Sequence, residues 1–202
     1  ASDVYKRQEE LNLTQRLSVA AIYEMIMYLE DKYGVTFEYT GYVRPQILEN
    51  EYMTAIPKGG NELTDTVTVT RQDDGTLTDD YPNIVVRPYY EQMITDYVED
   101  YFGSENVKIL SKVTNTTIKD FSDISEAAMD GNVFGTNIVF IKNDICTQNQ
   151  LSFFVDAFSK WLNEHDLIST NRINVVTNVE ISDIDLSNCT DYYCLLYTSP
   201  SP

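Results

Sequence analysis

The chain has 202 residues and a formal net charge of −18, from 14 Lys and Arg against 32 Asp and Glu. Such acidity repels phosphate backbones and anionic lipid surfaces, so it argues against nucleic-acid binding and against membrane attachment without an anchor. A hydrophobic content of 43% with 15 tyrosines marks a globular chain, and no apolar run approaches the roughly 20 residues that span a bilayer.

In chain order, Ala1-Ser2-Asp3-Val4-Tyr5-Lys6-Arg7-Gln8 can be written GCG TCA GAT GTG TAT AAG AGA CAG, which resembles a transposon-end sequencing adapter read in one frame. Cys194-Leu195-Leu196-Tyr197-Thr198-Ser199-Pro200-Ser201-Pro202 can be written TGT CTC TTA TAC ACA TCT CCG AGC CCA, which resembles the reverse complement of the same end. The expectation is that residues 1–8 and 194–202 are adapter-derived tails and that the chain is a fragment of a longer gene. Any signal peptide, lipid-anchor cysteine or membrane segment then lay upstream. Setting aside Asp3, Lys6 and Arg7 leaves 12 basic against 31 acidic residues, a net of −19.

Residues 14–33 read as an amphipathic helix, with Thr14 as cap, Ile22, Met25, Ile26, Leu29 and Tyr33 on one face, and Gly34 as stop. Val35–Tyr39, Tyr52–Ile56 and Thr66–Thr70 alternate as strands, interrupted by Pro45 and by Pro57-Lys58-Gly59-Gly60. The stretch 35–70 is therefore a meander with one buried face, closed by an Asp73-Asp74-Gly75 turn.

Ile84-Val85-Val86 reads as a short buried strand, with Pro88 in the first turn of a helix that carries Tyr90, Met93, Ile94, Tyr97, Val98, Tyr101 and Phe102 and stops at Gly103. Val107–Val113 follows as a strand. Residues 114–135 read as a connection with a helical turn at Ile124–Met129. Ile138–Ile141 is a buried strand, and 148–165 a helix with Leu151, Phe154, Val155, Phe158, Trp161 and Leu162 on one face. Ile173–Val176 closes the pattern before a polar acidic tail to Tyr193. Asn83-Ile84-Val85 and Asn137-Ile138-Val139 suggest a faint repeat, better explained by common strand–helix grammar than by duplication.

This order predicts an α+β fold: an N-terminal helix and antiparallel meander followed by two strand–helix–strand units. The expected divisions are a tail at 1–8, an α+β unit at 9–114, a strand–helix–strand unit with acidic tail at 115–193, and a tail at 194–202.

No catalytic grammar stands out. His165, the single histidine, falls at a helix C-terminus, where its cationic form complements the dipole. Asp73, Asp74, Asp79 and Asp80 surround Gly75, but the spacing of an EF-hand and its closing Glu are absent, so a solvated turn outweighs calcium binding. Lys58-Gly59-Gly60 lacks the rest of a phosphate loop and reads as a turn. Tyr89, Tyr90, Tyr97 and Tyr101 can line a carbohydrate or peptide groove, though helical spacing favours core packing. No Gly-x-Ser-x-Gly is present. Cys146 and Cys189 lack Cys-x-x-Cys spacing; they form a disulfide if the protein is secreted and they meet, and stay thiols otherwise. No residue is assigned a catalytic, cofactor-binding or metal-binding role, and no cofactor is expected.

The stretch Ile22–Glu38, with Leu29-Glu30-Asp31-Lys32-Tyr33-Gly34-Val35-Thr36-Phe37-Glu38 at its end, resembles small secreted proteins and lipoproteins of clostridia and related Gram-positive gut bacteria. Asp74-Gly75 and Asp79-Asp80-Tyr81 occupy places comparable to an Asp-Gly turn and an Asp-x-Tyr element of that group. The resemblance covers about the first half of the chain between the two tails. It implies a cell-envelope or secreted location, with membrane contact only through a lost N-terminal anchor, and brings no catalytic residues. The leading expectation is an acidic bacterial binding or structural module without catalysis, with a protein partner as one option. The alternatives are a cytoplasmic phage or mobile-element protein acting through protein contacts, and an enzyme with an uncommon carboxylate site in Asp73–Asp80.

Overall fold

The computed structural model describes residues 12–47, 49–193 and 197–200. The fold is α+β and divides into two compact units, residues 1–81 and 82–202. The sequence pattern places a division at 114/115 instead. The strand Val107–Thr116 (β5) runs through that point and pairs along its length with Val133–Lys142 (β6), which keeps it with the residues that follow.

The first unit is a helix, α1 (Leu13–Tyr33), on a four-stranded antiparallel meander of order β1-β2-β3-β4: Phe37–Val43, Tyr52–Pro57, Val67–Arg71 and Leu77–Asp79. α1 starts one turn-position earlier than its apolar stripe suggests. Asn12, not Thr14, is the cap: its side chain accepts the Gln15 N–H at 3.0 Å while the Gln15 side chain accepts the Asn12 N–H at 2.9 Å. Gly34 ends the helix at φ 66°, as its lack of a Cβ permits. Met25 and Leu29 are buried on α1, and Met53, Ala55, Val67 and Val69 on the sheet. The register pairs Met53 with Val69 and Ala55 with Val67, so the period-two alternation puts all four on one face. β1 begins at Phe37 and shifts register between Tyr39 and Gly41, which leaves Tyr39 exposed.

The carboxylate of Asp79, buried at the end of β4, ties this unit together. It accepts the Tyr28 hydroxyl at 2.8 Å, the Lys32 ammonium at 2.5 Å, the Tyr33 hydroxyl at 2.6 Å and the Tyr81 N–H at 3.1 Å. Burial alone raises a carboxyl pKa, but the Lys32, Tyr33 and Tyr28 donors outweigh it and hold Asp79 below its ordinary value. A carboxylate whose folded pKa is depressed stabilises above its unfolded pKa, roughly 3.9, and loses that contribution as pH falls through the folded value. Asp79→Ala removes the acceptor shared by two tyrosine hydroxyls and by the half-exposed Lys32 ammonium, which keeps its bond to the Tyr28 hydroxyl, and is expected to cost about 1–3 kcal/mol. Urea melts at pH 7 and pH 2.5 check it: the gap between wild type and variant narrows at the lower pH.

The second unit carries the sheet order β5-β6-β7-β8, with β7 at Ile168–Val176 and β8 at Tyr197–Pro200. β5 and β6 are antiparallel, β6 and β7 parallel, and β7 and β8 antiparallel. β8 falls in the C-terminal segment read as adapter-derived, whereas residues 1–8 lie outside the described residues. The described residues of this unit include the helices α2 (Tyr81–Phe102, from Pro82 on), the short α3 (Glu126–Met129) and α4 (Gln148–Glu164), the crossover from β6 to β7. Thr147 and Gln150 form a second capping box at its start.

Ile84–Val86 is not a strand. It is the first part of α2, and Pro88 sits inside that helix rather than in its first turn. The missing Pro88 N–H leaves the Ile84 carbonyl without its intrahelical donor. Burial of Val86, Tyr90, Ile94 and Val98 as one helical stripe outweighs that loss. The Asn83/Asn137 parallel therefore dissolves, since Asn83 is helical and Asn137 lies in β6. In chain order the first strand–helix–strand run is β4–α2–β5, with β4 in the first sheet and β5 in the second. Its successor β6–α4–β7 follows the expected order.

Both faces of the sheet are covered. One carries Val107, Ile109, Val113, Val133, Val139, Ile141 and Ile173 against α2 and α4. On the other, Leu110, Phe140 and Val176 pack with Ile181, Ile184 and Cys189. The stretch expected to be a polar tail is thus a second covering layer: 3-10 turns at Ile181–Asp183 and Cys189–Tyr192 turn its few apolar residues inward.

A row of polar side chains crosses the helix-covered face. The Ser111 hydroxyl donates to Asn137 Oδ1 at 2.7 Å, and Asn137 Nδ2 donates to the Tyr90 hydroxyl and to Asn171 Oδ1, both at 2.9 Å. Asn171 Nδ2 donates to the Ser169 hydroxyl at 3.0 Å. Ser111, Asn137 and Asn171 are direct partners across the three strands. Tyr90 lies over Gly135, where any Cβ would overlap its ring. Burial pushes the Tyr90 hydroxyl up to about 12, against the opposing hydrogen bonds of Asn137 and Ser169. An acid with a raised folded pKa stabilises fully below its unfolded pKa, roughly 10, and loses this as pH climbs toward the folded value. Gly135→Ala is expected to destabilise by about 1–3 kcal/mol or more at neutral pH, because the ring has backbone beneath it and a helix above. Tyr90→Phe should cost about 1–2 kcal/mol and flatten the loss of stability between pH 10 and 12, measured by chemical denaturation.

Candidate ligand-binding cleft

The carboxylates around Gly75 do not gather round one point. Asp74 accepts the Thr76 N–H at 2.9 Å and its hydroxyl at 2.6 Å, closing the β3–β4 turn. Asp80 accepts the Thr68 N–H at 2.6 Å, and Asp79 holds α1 as described. These are folding contacts. Lys58-Gly59-Gly60 is a turn in which the Gly60 N–H bonds the Pro57 carbonyl at 2.8 Å. Cys146 and Cys189 are free thiols; Cys146 packs on the helix side of the second sheet and Cys189 on the opposite side, so they do not meet.

The tyrosines of α2 part company. Tyr90 is in the core, Tyr101 packs on Phe102 and Phe154, and Tyr89 is half exposed. Tyr97 stacks on Trp161 of α4, ring centroids 4.5 Å apart at 25°. Trp161 in turn meets the His165 ring at 4.9 Å. His165 caps the C-terminus of α4 and reaches two carboxylates of α3 and its end, Asp130 at 3.3 Å from Nδ1 and Glu126 at 3.5 Å from Nε2. The helix-end position read from the sequence is correct. The facing acids are additional and tie α3 to α4.

Between these elements lies an open cleft of about 360 Å³. Its floor is apolar, from Met93, Ile124 and Met129, and its aromatic wall is Tyr89, Tyr97 and Trp161. Asp96, Asp100 and Glu126 also line it, and among the described residues no Lys or Arg does. Asp96 accepts from Gln92 Nε2 at 2.7 Å. α2 presents Tyr89, Met93, Asp96 and Asp100 toward the cleft along its helical repeat. Ile124 and Glu126 arrive through a connection that Ser125 caps at the start of α3. Among the described residues no cluster of His, Cys, Asp and Glu is arranged to hold a metal ion. An apolar floor with a few polar groups at the rim is the usual build of a small-ligand site.

Sequence reading named Tyr89 and Tyr97 for a groove but missed Asp96, Asp100 and Glu126. One signal was present. Asp96 and Asp100 are four apart in the C-terminal half of a helix with no basic residue in its last turn, which disfavours them locally.

No protein-family model matches the chain, and no curated protein matches it. A crystal structure of a DUF5037 family protein from Ruminococcus gnavus ATCC 29149 is similar to it over 78% of this chain and 75% of that chain, at 12% identity and a TM-score of 0.42, a likeness too distant to carry an argument.

Proposed function

We propose that this chain is an extracytoplasmic bacterial binding protein, secreted or lipid-anchored, that captures a small ligand without transforming it. The observation that carries the binding role is the cleft, in which aromatic and apolar surface stays open to solvent beside three carboxylates. Such a surface gains free energy by being covered, on the order of 25 cal/mol per Å² of apolar area. The envelope location is supported by the Leu29–Glu38 string and by the acidity of the chain. The described helices include none long and apolar enough to cross a membrane.

The intact reading frame tests the location. An upstream signal sequence, with or without a lipid-anchor cysteine, is expected, together with natural codons in place of residues 1–8 and 194–202; a start codon next to Glu9 rejects it. The binding role is tested through Trp161, the single tryptophan. A ligand panel of amines, sugars and short peptides should give a saturable change in its emission with at least one class. Met93→Arg, which fills the floor, should abolish that change. A flat response to every class rejects the role.

A further inference from the structure

We infer that the cleft between α2, α3 and α4 takes a linear aliphatic polyamine. This rests on the proposed binding role and names its ligand class.

The charge pattern selects the sign. Asp96, Asp100 and Glu126 line one cleft, with no Lys or Arg among its described lining residues. Asp100 lies in the last turn of α2, where the helix end adds negative potential and no basic residue answers it. Asp96 and Asp100, one turn apart, repel each other. Among the described residues, only Glu126 of the three acids has a facing side chain that can become cationic, His165 at 3.5 Å. An anionic ligand finds no donor cation here. A neutral sugar leaves the repulsion between Asp96 and Asp100 in place.

The apolar floor selects against a bare metal ion. Met93, Ile124 and Met129 offer no oxygen ligand, and a hard cation keeps its water there. An alkylammonium chain matches both features: methylenes cover the floor while separated ammonium groups reach separate carboxylates. The exposed ring of Tyr89 gives a further cation-binding surface at the rim. The Asp96–Asp100 spacing of one helical turn, roughly 5–6 Å between Cβ atoms, asks for two ammonium groups on a short alkyl spacer.

Spermidine titrated into the full chain at low salt, followed by Trp161 emission and by calorimetry, tests this. Saturable one-to-one binding is expected. The double variant Asp96→Asn/Asp100→Asn should weaken it by about tenfold or more, as loss of two charge-assisted contacts implies. Asp156→Asn, an exposed charge on α4 outside the cleft, should leave it unchanged. All three positions are exposed, and circular dichroism confirms folding. Equal weakening by Asp156→Asn, or displacement by equimolar magnesium, overturns the inference in favour of the general field of an acidic protein. If Trp161 responds to a neutral or anionic compound but not to spermidine, the ligand class is wrong and the binding role stands. If it responds to nothing, both fall.

Discussion

The second unit depends on one buried polar row, Ser111–Asn137–Asn171, with Tyr90 above it. Each of these groups leaves water on folding, and an unpartnered one costs about 1–3 kcal/mol. The row is satisfied in one register only, because Asn137 stands directly opposite both Ser111 and Asn171. A slip of a single residue in β6 moves Asn137 to the opposite face, against Leu110 and Val176, takes Phe140 off that face and brings Ile138 into the polar row. The same row positions a helix. Asn137 holds the Tyr90 hydroxyl, and Gly135 provides the space for the ring, so α2 is fixed both along and across the sheet. The side of α2 that carries Tyr89, Asp96 and Asp100 is oriented by that anchor. The cleft's wall is thus set by a core contact that never touches it.

Two uses of carboxylates follow, and they differ in what surrounds them. Asp79 is buried and meets four donors, one of them cationic, so its charge is compensated inside its own unit. Glu51 is similar: it accepts from Arg71 at 2.5 Å and from Tyr42, while Arg71 also reaches Glu24 at 2.7 Å. Burial first, then the Glu51 carboxylate, pushes the Tyr42 hydroxyl up to about 12. The acids of the cleft are exposed, and among the described residues no Lys or Arg answers them; only Glu126 has a facing imidazole, that of His165. In a chain with so few basic residues, the placement of each cation is informative. Lys32 and Arg71 go to structural carboxylates, and among the described residues no Lys or Arg lines the cleft.

Local patterns made most of the frame legible. The stripes around Met25 and Leu29, and around Phe154 and Phe158, gave the helices; Gly34 and Gly103 gave their ends; Val67 and Val69 gave a strand. What failed did so for identifiable reasons. Three β-branched residues before Pro88 carry strand propensity, yet burial of Val86 on the same helical stripe as Tyr90 overrides it. Asn12 lies before the apolar stripe, so its pairing with Gln15 shows only when the box is sought as a unit. Ile181, Ile184 and Cys189 are too sparse to show a period, because 3-10 turns and not a regular element bring them inward. The cleft was partly legible at Tyr89 and Tyr97. Its other residues come from 124–129 and from Trp161, and nothing local says that these stretches converge.

The local cost at Asp96 and Asp100 links fold to function. A sequence selected only for stability places Lys or Arg in the last turn of a helix and avoids like charges four residues apart, each choice worth a few tenths of a kcal/mol. α2 does the opposite on the side that lines the cleft, while Asp79 and Glu51 show that the same chain answers its carboxylates where folding requires it. Solubility does not account for the difference, since the chain's acidity is already far beyond what keeps a small protein in solution. A ligand that supplies the missing positive charge does account for it, because the repulsion present in the free protein is then relieved only on binding and adds to affinity rather than to stability.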